Sequence, residues 1–321
     1  MSEKALSLVI PVHNEEGALP RLFQALEQLQ EDLPQLRTII FVDDGSNDRS
    51  FPLLLEANTS HEGWRVLRFS RNFGQQVAIL AGLRHTDTDA VVLMDADLQD
   101  PPQVIPEMVK KWEQGWDVVY GVRRSRDGES WIKRLSAKVF YRVLSQLSDI
   151  DIPIDAGDFR IMDRKVVRVI NQLHEQRPYV RGLVSWAGFR QASVEFDRSP
   201  RQEGQTNYDL RKMMQLSVDA IIGFSSTPLR VITRLGLLVV LLSLIYSAIV
   251  LGLWLNDVNV PGWTSMMLVI LFLGSIQLIS LGVLGEYLAI LTTEAKDRPR
   301  FIITFDSNRT ENPEDRSGND D

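Results

Sequence analysis

Three carboxylates and one amide stand close together in the segment VVLMDADLQDPP, residues 91–102. They are Asp95, Asp97, Gln99 and Asp100, and they directly follow a short apolar run. Carboxylates at this spacing raise one another's pKa and destabilise a fold unless a cation lies among them. Oxygen ligands of this kind suit Mg²⁺ or Mn²⁺. The segment therefore predicts a divalent metal site at the end of a buried strand.

Five polar motifs, including the acidic one, follow apolar runs that are rich in β-branched residues. The runs are LSLVIPV, TIIFVDD, WRVLRFS, AVVLMDAD and DVVYGVR, and the motifs that end them are HNEE, DDGSND, SRNFG, DADLQD and RRSRDG. Helical stretches, residues 16–30 and 75–84 among them, separate the first four runs. This alternation predicts an α/β fold with a mostly parallel sheet, whose ligand crevice lies at the carboxyl ends of the strands.

The motifs differ in how specific they are. DDGSND taken alone is weak evidence, because Asp48 could equally cap a helix. No GxGxxG or GxxxxGK[ST] segment is present, which argues against a Rossmann dehydrogenase and a P-loop enzyme. A diphosphate would instead have to be held by a divalent ion and by arginines.

Composition excludes other classes of protein. The 321 residues are too many for one typical domain. The net charge of -7 argues against nucleic acid as a partner. Cysteine is absent, which excludes disulfides and thiolate metal sites.

Two late stretches, residues 235–255 and 261–285, contain no charged residue. Each is close to the roughly 20 residues that cross a bilayer, so we predict two transmembrane helices; the alternative is a buried core hairpin. Basic residues flank the pair on its outer sides, whereas the connecting NDVNV has none. The positive-inside rule then places both termini on the cytoplasmic side of the cytoplasmic membrane.

The predicted division of the chain has five parts. They are a catalytic domain at 1–209, a juxtamembrane amphipathic segment at 210–233, transmembrane helices at 234–256 and 261–292, and a polar, partly disordered cytoplasmic tail at 293–321.

The motifs as a set resemble a known family. PVHNEE, VDDGSND, MDADLQDPP, DAGDFR and RQEGQTNY, in this order and ahead of two predicted spans, are similar to the family 2 inverting glycosyltransferases with a Rossmann-like GT-A fold. Within that family the chain resembles the polyisoprenyl-phosphate glycosyltransferases, which include dolichyl-phosphate mannose synthases and bacterial undecaprenyl-phosphate glucosyltransferases. The resemblance extends to about residue 297.

The resemblance implies a role for each motif. It assigns the nucleotide to Pro11, His13, Glu15, Asp44, Asn72, Gly74 and Asp95, the metal ion to Asp95, Asp97 and Gln99, and phosphate groups to Arg123, Arg134 and Arg201. The family usually has tyrosine at the position of His13. The imidazole could stack on the base or only cap the strand end, and the sequence leaves both open.

The DAGDFR motif offers Asp155 and Asp158 as catalytic carboxylates. A lipid phosphate has a second pKa near ~6, so it is already largely anionic at neutral pH and needs no strong base. We therefore expect Asp158 to orient the acceptor or the sugar hydroxyls and to take up at most the residual proton, with Arg160 helping to balance its charge. The alternative is an Asp–Arg pair that only fixes a loop.

Two segments could lie at the membrane surface, 130–147 and 210–230, although either could be an ordinary core-facing helix. RPYVRGLVSWAGFR differs from the QxxRW of processive polysaccharide synthases, which favours transfer of a single sugar. Small residues in the second span would allow the close helix packing of a homo-oligomer. They are Gly274, Ser275, Gly282 and Gly285.

The predicted reaction moves one sugar from a nucleotide-sugar, UDP-glucose as first choice, to a polyprenyl phosphate such as undecaprenyl phosphate, with inversion. Three alternatives stay open. They are transfer from GDP-mannose to dolichyl phosphate, a catalytically silent membrane scaffold of the same fold, and a nucleotidyltransferase on a membrane tether.

Overall fold

The computed structural model describes residues 4–123, 156–176, 178–197, 227–255 and 262–309. The chain forms two compact units. The first consists of Met1–Ala137, Asp151–Asn207 and Arg298–Asp321, and the second of Lys138–Ile150 and Tyr208–Asp297.

The first unit is built on an eight-stranded sheet with the order β7-β5-β6-β4-β1-β2-β3-β8. Four of its seven strand pairings are parallel, so the predicted α/β fold with a mostly parallel sheet is confirmed. The strands are β1 Leu6–Val12, β2 Leu36–Asp43, β3 Trp64–Phe69, β4 Ala90–Leu93, β5 Val118–Arg123, β6 Ala156–Asp163, β7 Gln191–Phe196 and β8 Ile303–Asp306.

Within the described residues, six helices accompany the sheet. They are α1 Leu19–Asp32, α2 Ser50–Ser60, α3 Gln75–Arg84, α4 Ile105–Glu113, α5 Arg164–Gln172 and α6 Val180–Trp186, and a 3-10 turn at Pro102–Val104 leads into α4. The helix predicted at 75–84 has those bounds. The helix predicted at 16–30 begins later, at Leu19, because the chain first makes a turn in which the Glu15 carbonyl accepts from the amides of Ala18 and Leu19.

The central strands read as continuous apolar runs because both of their faces are covered, as parallel strands between helix layers require. All seven residues of β1 are buried. Helix α3 packs directly on this strand: a Cβ on Gly82 would lie 2.2 Å from Cγ1 of Val9. The close approach brings the first residues of α3, Gln75 and Gln76, to the carboxyl ends of the strands.

Strand β8 differs from the predicted polar tail. It pairs antiparallel with β3 at the edge of the sheet. Arg65 donates from Nε and Nη2 to the two carboxylate oxygens of Asp306, at 2.9 and 2.7 Å. Local pattern could not find this short strand, because its partner lies more than two hundred residues earlier in the chain. The rest of the predicted tail, from residue 310, lies outside the described residues.

The second unit contains two long helices, α7 Thr227–Leu255 and α8 Trp263–Ala295. Among the described residues, one segment, Phe272–Ala295, is long and apolar enough to cross a membrane, and Val231–Tyr246 is a shorter apolar helix. Both predicted spans are therefore helical. Within the described residues, only the second contains an apolar segment that is long enough to cross a membrane. The possible membrane-surface segment at 130–147, and 210–230 up to residue 226, lie outside the described residues.

Candidate active site

The loops after β1 and β2 are joined by hydrogen bonds. The amide of Asn14 donates to Oγ of Ser46 at 3.0 Å. The Asp48 carboxylate accepts from the amides of Ser50, at 2.9 Å, and Glu16, at 3.2 Å. Asp48 thus supports the start of α2 and ties the two loops together, as the capping alternative predicts.

Asp44 lies just beyond β2 and is almost fully buried. Its two carboxylate oxygens accept from the backbone amides of Phe73, at 2.6 Å, and Gly74, at 2.8 Å. Burial raises the pKa of Asp44 even though these amides act in the opposite direction. The loops after β2 and β3 meet at Gly45, where a Cβ would lie 2.5 Å from the carbonyl carbon of Arg71.

His13 is held through both of its ring nitrogens. Nδ1 lies 2.9 Å from the carbonyl oxygen of Asp44, which can only accept, so Nδ1 carries the proton. Nε2 then accepts from the side-chain amides of Asn72, at 3.0 Å, and Asn14, at 3.3 Å. The ring therefore caps the strand end and also forms part of a cavity wall.

That cavity has a volume of about 300 Å³. Its wall includes all seven residues that the resemblance assigned to the nucleotide, Pro11, His13, Glu15, Asp44, Asn72, Gly74 and Asp95, together with Val12, Gln75, Ala96 and Asp97. The structure brings these side chains together at the carboxyl ends of β1, β2, β3 and β4. Their contact with a nucleotide stays a prediction.

The end of the cavity that is formed by Asp95 and Asp97 is acidic. Asp95 accepts from Nε2 of Gln75 at 2.7 Å. Burial, followed by the charges of Asp158, Asp100 and Asp97, raises the pKa of Asp95 to about 7. A cluster of carboxylates of this kind favours a nearby cation.

The metal-ligand set is only partly assembled. Asp95 and Asp97 line the cavity, whereas Gln99 does not. No group of three or more His, Asp or Glu side chains poised around one point occurs among the described residues. The buried Oε1 of Gln99 has no hydrogen-bond partner within the described parts of the chain. Two carboxylates and a free amide oxygen fit a Mg²⁺ or Mn²⁺ ion that takes its other ligands from substrate phosphates.

Between Asp97 and Gln99 the backbone is strained. Leu98 has a φ of 56°, in the left-handed region that a leucine rarely occupies. Its side chain packs against the hydrophobic core. The Asp97 carboxylate also accepts from the amide of Gln99 at 3.1 Å. Packing and this hydrogen bond hold the turn, and backbone strain of this kind is typical of functional sites.

Asp158 lies on β6, not in a loop, and is buried beside the acidic end of the cavity. Arg181 donates to both of its oxygens, from Nε at 2.7 Å and from Nη2 at 3.1 Å. Nε2 of Gln76 adds a third hydrogen bond at 3.1 Å. Burial alone would raise the pKa of Asp158, but the charge and hydrogen bonds of Arg181 outweigh it and lower the pKa. Asp158 is therefore ionised at neutral pH.

Arg181 is the direct ionic partner of Asp158, whereas Arg160, as predicted, helps to balance the charge of Asp158 but does not contact it. Arg160 is fully buried on the same strand, and its Nη2 donates to the carbonyl of Gly157 at 2.8 Å. It acts on Asp158 only through its field, and burial lowers the pKa of Arg160 to about 10. No local pattern in the sequence indicated Arg181, Gln75 or Gln76, because side chains on α3 and α6 meet β6 only in the folded chain.

The four remaining predicted site residues are Arg123, Arg134, Asp155 and Arg201. Arg123 is the last residue of β5. Arg134, Asp155 and Arg201 lie outside the described residues.

Comparison with known proteins gives the family. Residues 7–170 match the family described as Glycosyl transferase family 2, and residues 227–291 match the GtrB C-terminal hairpin. The chain belongs to glycosyltransferase family 2. An uncharacterised glycosyltransferase of Synechocystis sp. is 46% identical to it over 93% of this chain and 94% of the relative.

Another family 2 relative is the bactoprenol glucosyl transferase of Shigella phage SfX. It is 39% identical over 93% of this chain and 98% of the relative. A solved structure, mannosyl-3-phosphoglycerate synthase from Rubrobacter xylanophilus, is 19% identical with a TM-score of 0.48, over 73% of this chain and 75% of that one.

Proposed function

We propose that this glycosyltransferase moves one glucosyl group from UDP-glucose to the phosphate of a polyprenyl lipid, giving polyprenyl-phosphate glucose and UDP. The observation that carries the proposal is the arrangement of the cleft. An open cavity of about 300 Å³ ends at two carboxylates, and the ionised pair of Asp158 and Arg181 lies close to them. The phage relative named for bactoprenol glucosyl transfer supports the choice of sugar and acceptor.

The donor nucleotide occupies the cavity in this proposal. The Asp44 carboxylate uses one lone pair of each oxygen on a backbone amide, so each oxygen can still accept from a base N–H. Asp95 and Asp97 would hold a Mg²⁺ or Mn²⁺ ion together with Gln99. Such an ion neutralises the charge that develops on the leaving diphosphate.

The acceptor phosphate attacks the anomeric carbon in a single displacement. A bond forms between a phosphate oxygen and that carbon while the bond from the carbon to the UDP oxygen breaks, so the configuration inverts. The phosphate is already anionic at neutral pH, since its second pKa is near ~6. Asp158, ionised and held by Arg181, orients the reactants and takes up at most the residual proton.

The lipid acceptor requires a membrane, and the chain path supports a two-span anchor. Strand β8 follows α8, yet it belongs to the same sheet as β1 to β7. A chain that leaves this unit, crosses a bilayer and returns to the same sheet must cross an even number of times. If Phe272–Ala295 spans the membrane, a second crossing must lie between β7 and β8, and α7 is the other long apolar helix described in that interval. The basic residues outside the hairpin favour the cytoplasmic side for the catalytic unit.

The test is transfer of radiolabel from UDP- and GDP-sugars into organic-extractable lipid by the full-length protein in detergent. Undecaprenyl and dolichyl phosphate serve as acceptors, with Mg²⁺, with Mn²⁺ or with EDTA. We expect labelled lipid from UDP-glucose and undecaprenyl phosphate, and only with a divalent ion. Labelled lipid from GDP-mannose alone would change the donor. The absence of labelled lipid from every donor, by protein that still binds UDP, would favour the silent scaffold.

A further inference from the structure

Arg181 has more hydrogen-bonding capacity than Asp158 uses. A guanidinium carries five N–H donors, of which two, on Nε and Nη2, point to Asp158. The other three have no partner among the described residues. Two of them form a second fork of the kind that binds a phosphate in a bidentate manner.

The exposure of the two arginines near Asp158 separates their roles. The side chain of Arg181 is 33% exposed, although the carboxylate it holds is 6% exposed. Arg160 is 2% exposed and donates to a backbone carbonyl. A ligand that enters the cleft can therefore reach Arg181 and cannot reach Arg160.

The local charge favours an anion at this place. One carboxylate, Asp158, faces two guanidinium groups, those of Arg160 and Arg181, which leaves one positive charge in excess. Asp95 also acts on Arg181 through its field. The donor's divalent ion would offset the charges of Asp95 and Asp97, which would weaken the acidic field at Arg181.

The position of the pair matches the route of the acceptor. Two neighbouring residues at the start of α3 connect the Asp158–Arg181 pair with the acidic end of the cavity. Gln75 donates to Asp95, and Gln76 donates to Asp158. Asp158 and Arg181 do not line the donor cavity. In an inverting displacement the acceptor approaches from the side opposite the leaving diphosphate. Arg181 lies outside the donor cavity and within the field of Asp95, so a phosphate bound to its free N–H groups would be next to the acidic end of the cavity.

We propose that Arg181 bridges Asp158 and the acceptor, with one edge of its guanidinium on the carboxylate and the other on the phosphate monoester of the lipid. This inference rests on the proposed function and adds a phosphate contact to it. Gln76 stabilises this arrangement through two hydrogen bonds. Its Oε1 accepts from the amide of Val180 at 2.9 Å while its Nε2 donates to Asp158, so one amide positions both the carboxylate and the start of α6.

A pair of variants separates binding of phosphate from support of Asp158. Arg181→Gln alone leaves a buried carboxylate without its cation and is expected to fold poorly. We therefore compare Asp158→Asn with the double variant Asp158→Asn/Arg181→Gln, in which both charges are gone. In both proteins the carboxylate is already absent, so a further effect of Arg181 cannot act through it.

The control is Asp158→Asn/Arg37→Gln. Arg37 is exposed near the start of β2, at the opposite end of the strands from the cleft, and its substitution makes the same change in net charge. We expect the KM for undecaprenyl phosphate to rise about tenfold between Asp158→Asn and Asp158→Asn/Arg181→Gln, the size of one charge-assisted interaction. The Kd for UDP and the KM of the Arg37 control should change less than twofold. An unchanged acceptor KM in Asp158→Asn/Arg181→Gln would overturn the bridge.

A binding measurement separates failure of this inference from failure of the proposed function. Geranyl phosphate, a water-soluble prenyl phosphate, is titrated into the UDP- and Mg²⁺-loaded proteins by calorimetry, with geraniol as the probe that lacks phosphate. We expect about tenfold weaker binding of geranyl phosphate with Asp158→Asn/Arg181→Gln than with Asp158→Asn, and no difference for geraniol. Equal binding of geranyl phosphate refutes the bridge. If the double variant loses geranyl phosphate binding but the wild-type protein labels no lipid, the bridge is supported and the proposed reaction is rejected.

Discussion

The two ends of the cleft hold a buried aspartate in opposite ways. Asp44, at the nucleotide end, accepts from two backbone amides, and burial raises its pKa. Asp158, beyond the acidic end, is held by the side chains of Arg181 and Gln76, and its pKa is lowered. The first carboxylate is placed by main-chain geometry and the second by charge. The Asp44 carboxylate is suited to accept hydrogen bonds from a neutral nucleotide base. The Asp158 carboxylate, with its charge balanced by Arg181, is suited to a position next to an anionic phosphate.

This difference also determines how each end responds to change. A carboxylate held by backbone amides keeps its position when neighbouring side chains change, since the loop itself supplies the donors. The carboxylate of Asp158, by contrast, lies on β6 and depends on the guanidinium of Arg181, which belongs to helix α6. Substitutions should therefore affect donor binding at one end and acceptor binding or turnover at the other.

The largest loss is expected where the two ends meet. Asp97→Asn removes a carboxylate of the proposed metal site, and transfer should fall by at least about a thousandfold, because the ion would stabilise the leaving diphosphate by several kcal/mol. EDTA should have the same effect on the wild-type protein. Initial rates of lipid labelling measure both. Transfer that persists in EDTA would remove the metal from the mechanism.

At the acceptor end, Asp158→Asn should reduce kcat about a hundredfold at pH 7 and leave residual activity. Because the wild-type carboxylate is already ionised, its titration should not appear in the rate near neutral pH. The loss should shrink between pH 6 and pH 8, as the acceptor phosphate loses its last proton near ~6. Rates across this range test it.

The matched control is Asp48→Asn, which changes a carboxylate that does not line the cavity but supports the start of α2 and joins the loops after β1 and β2. Its kcat should stay within about threefold of wild type at every pH, because it is expected to cost helix stability and not catalysis. Complete inactivity of Asp158→Asn at all pH values, with intact folding, would instead make Asp158 an obligatory base.

At the donor end, Asp44→Asn should weaken UDP binding about tenfold and leave the acceptor KM unchanged. An amide has one accepting oxygen where the carboxylate has two, so one of the Phe73 and Gly74 amides would face an NH₂ group. Calorimetric titration with UDP measures the change. A rise in acceptor KM would contradict the separation of the two ends.

The smallest effect on activity is expected at β8, away from both ends. Asp306→Asn breaks the pair with Arg65 and should lower the free energy of unfolding by about 1–3 kcal/mol, with transfer within twofold. Burial would raise the pKa of Asp306, but Arg65 lowers it. The stabilisation is therefore complete at neutral pH and is lost as pH falls through the lowered pKa.

The difference in Tm between wild type and Asp306→Asn, recorded from pH 7 to pH 3, measures this stabilisation. The difference should narrow below about pH 4, near the ordinary pKa of an aspartate. A constant difference across the range would mean that the pair contributes nothing that depends on its charge.

Most of the cavity wall could be predicted because its residues follow strands in the sequence. Asp44 and Asp95 each come directly after a buried apolar run, and parallel strands bring their carboxyl ends to one edge. The partners of Asp158 could not be predicted in this way. Arg160 is close to it in sequence and on the same strand, but Arg181 comes from another helix and makes the contact.

The amino-acid sequence by itself determined the alternation of strands and helices, the position of the acidic motif and the two apolar stretches near the C-terminus. These are local properties, set by residue type and spacing. The tertiary structure alone decided that Arg181 pairs with Asp158, that Phe73 and Gly74 hold Asp44, and that residues 303–306 complete the sheet. Each of these contacts joins segments distant in sequence, and its energy depends on burial and geometry that only the packed chain supplies.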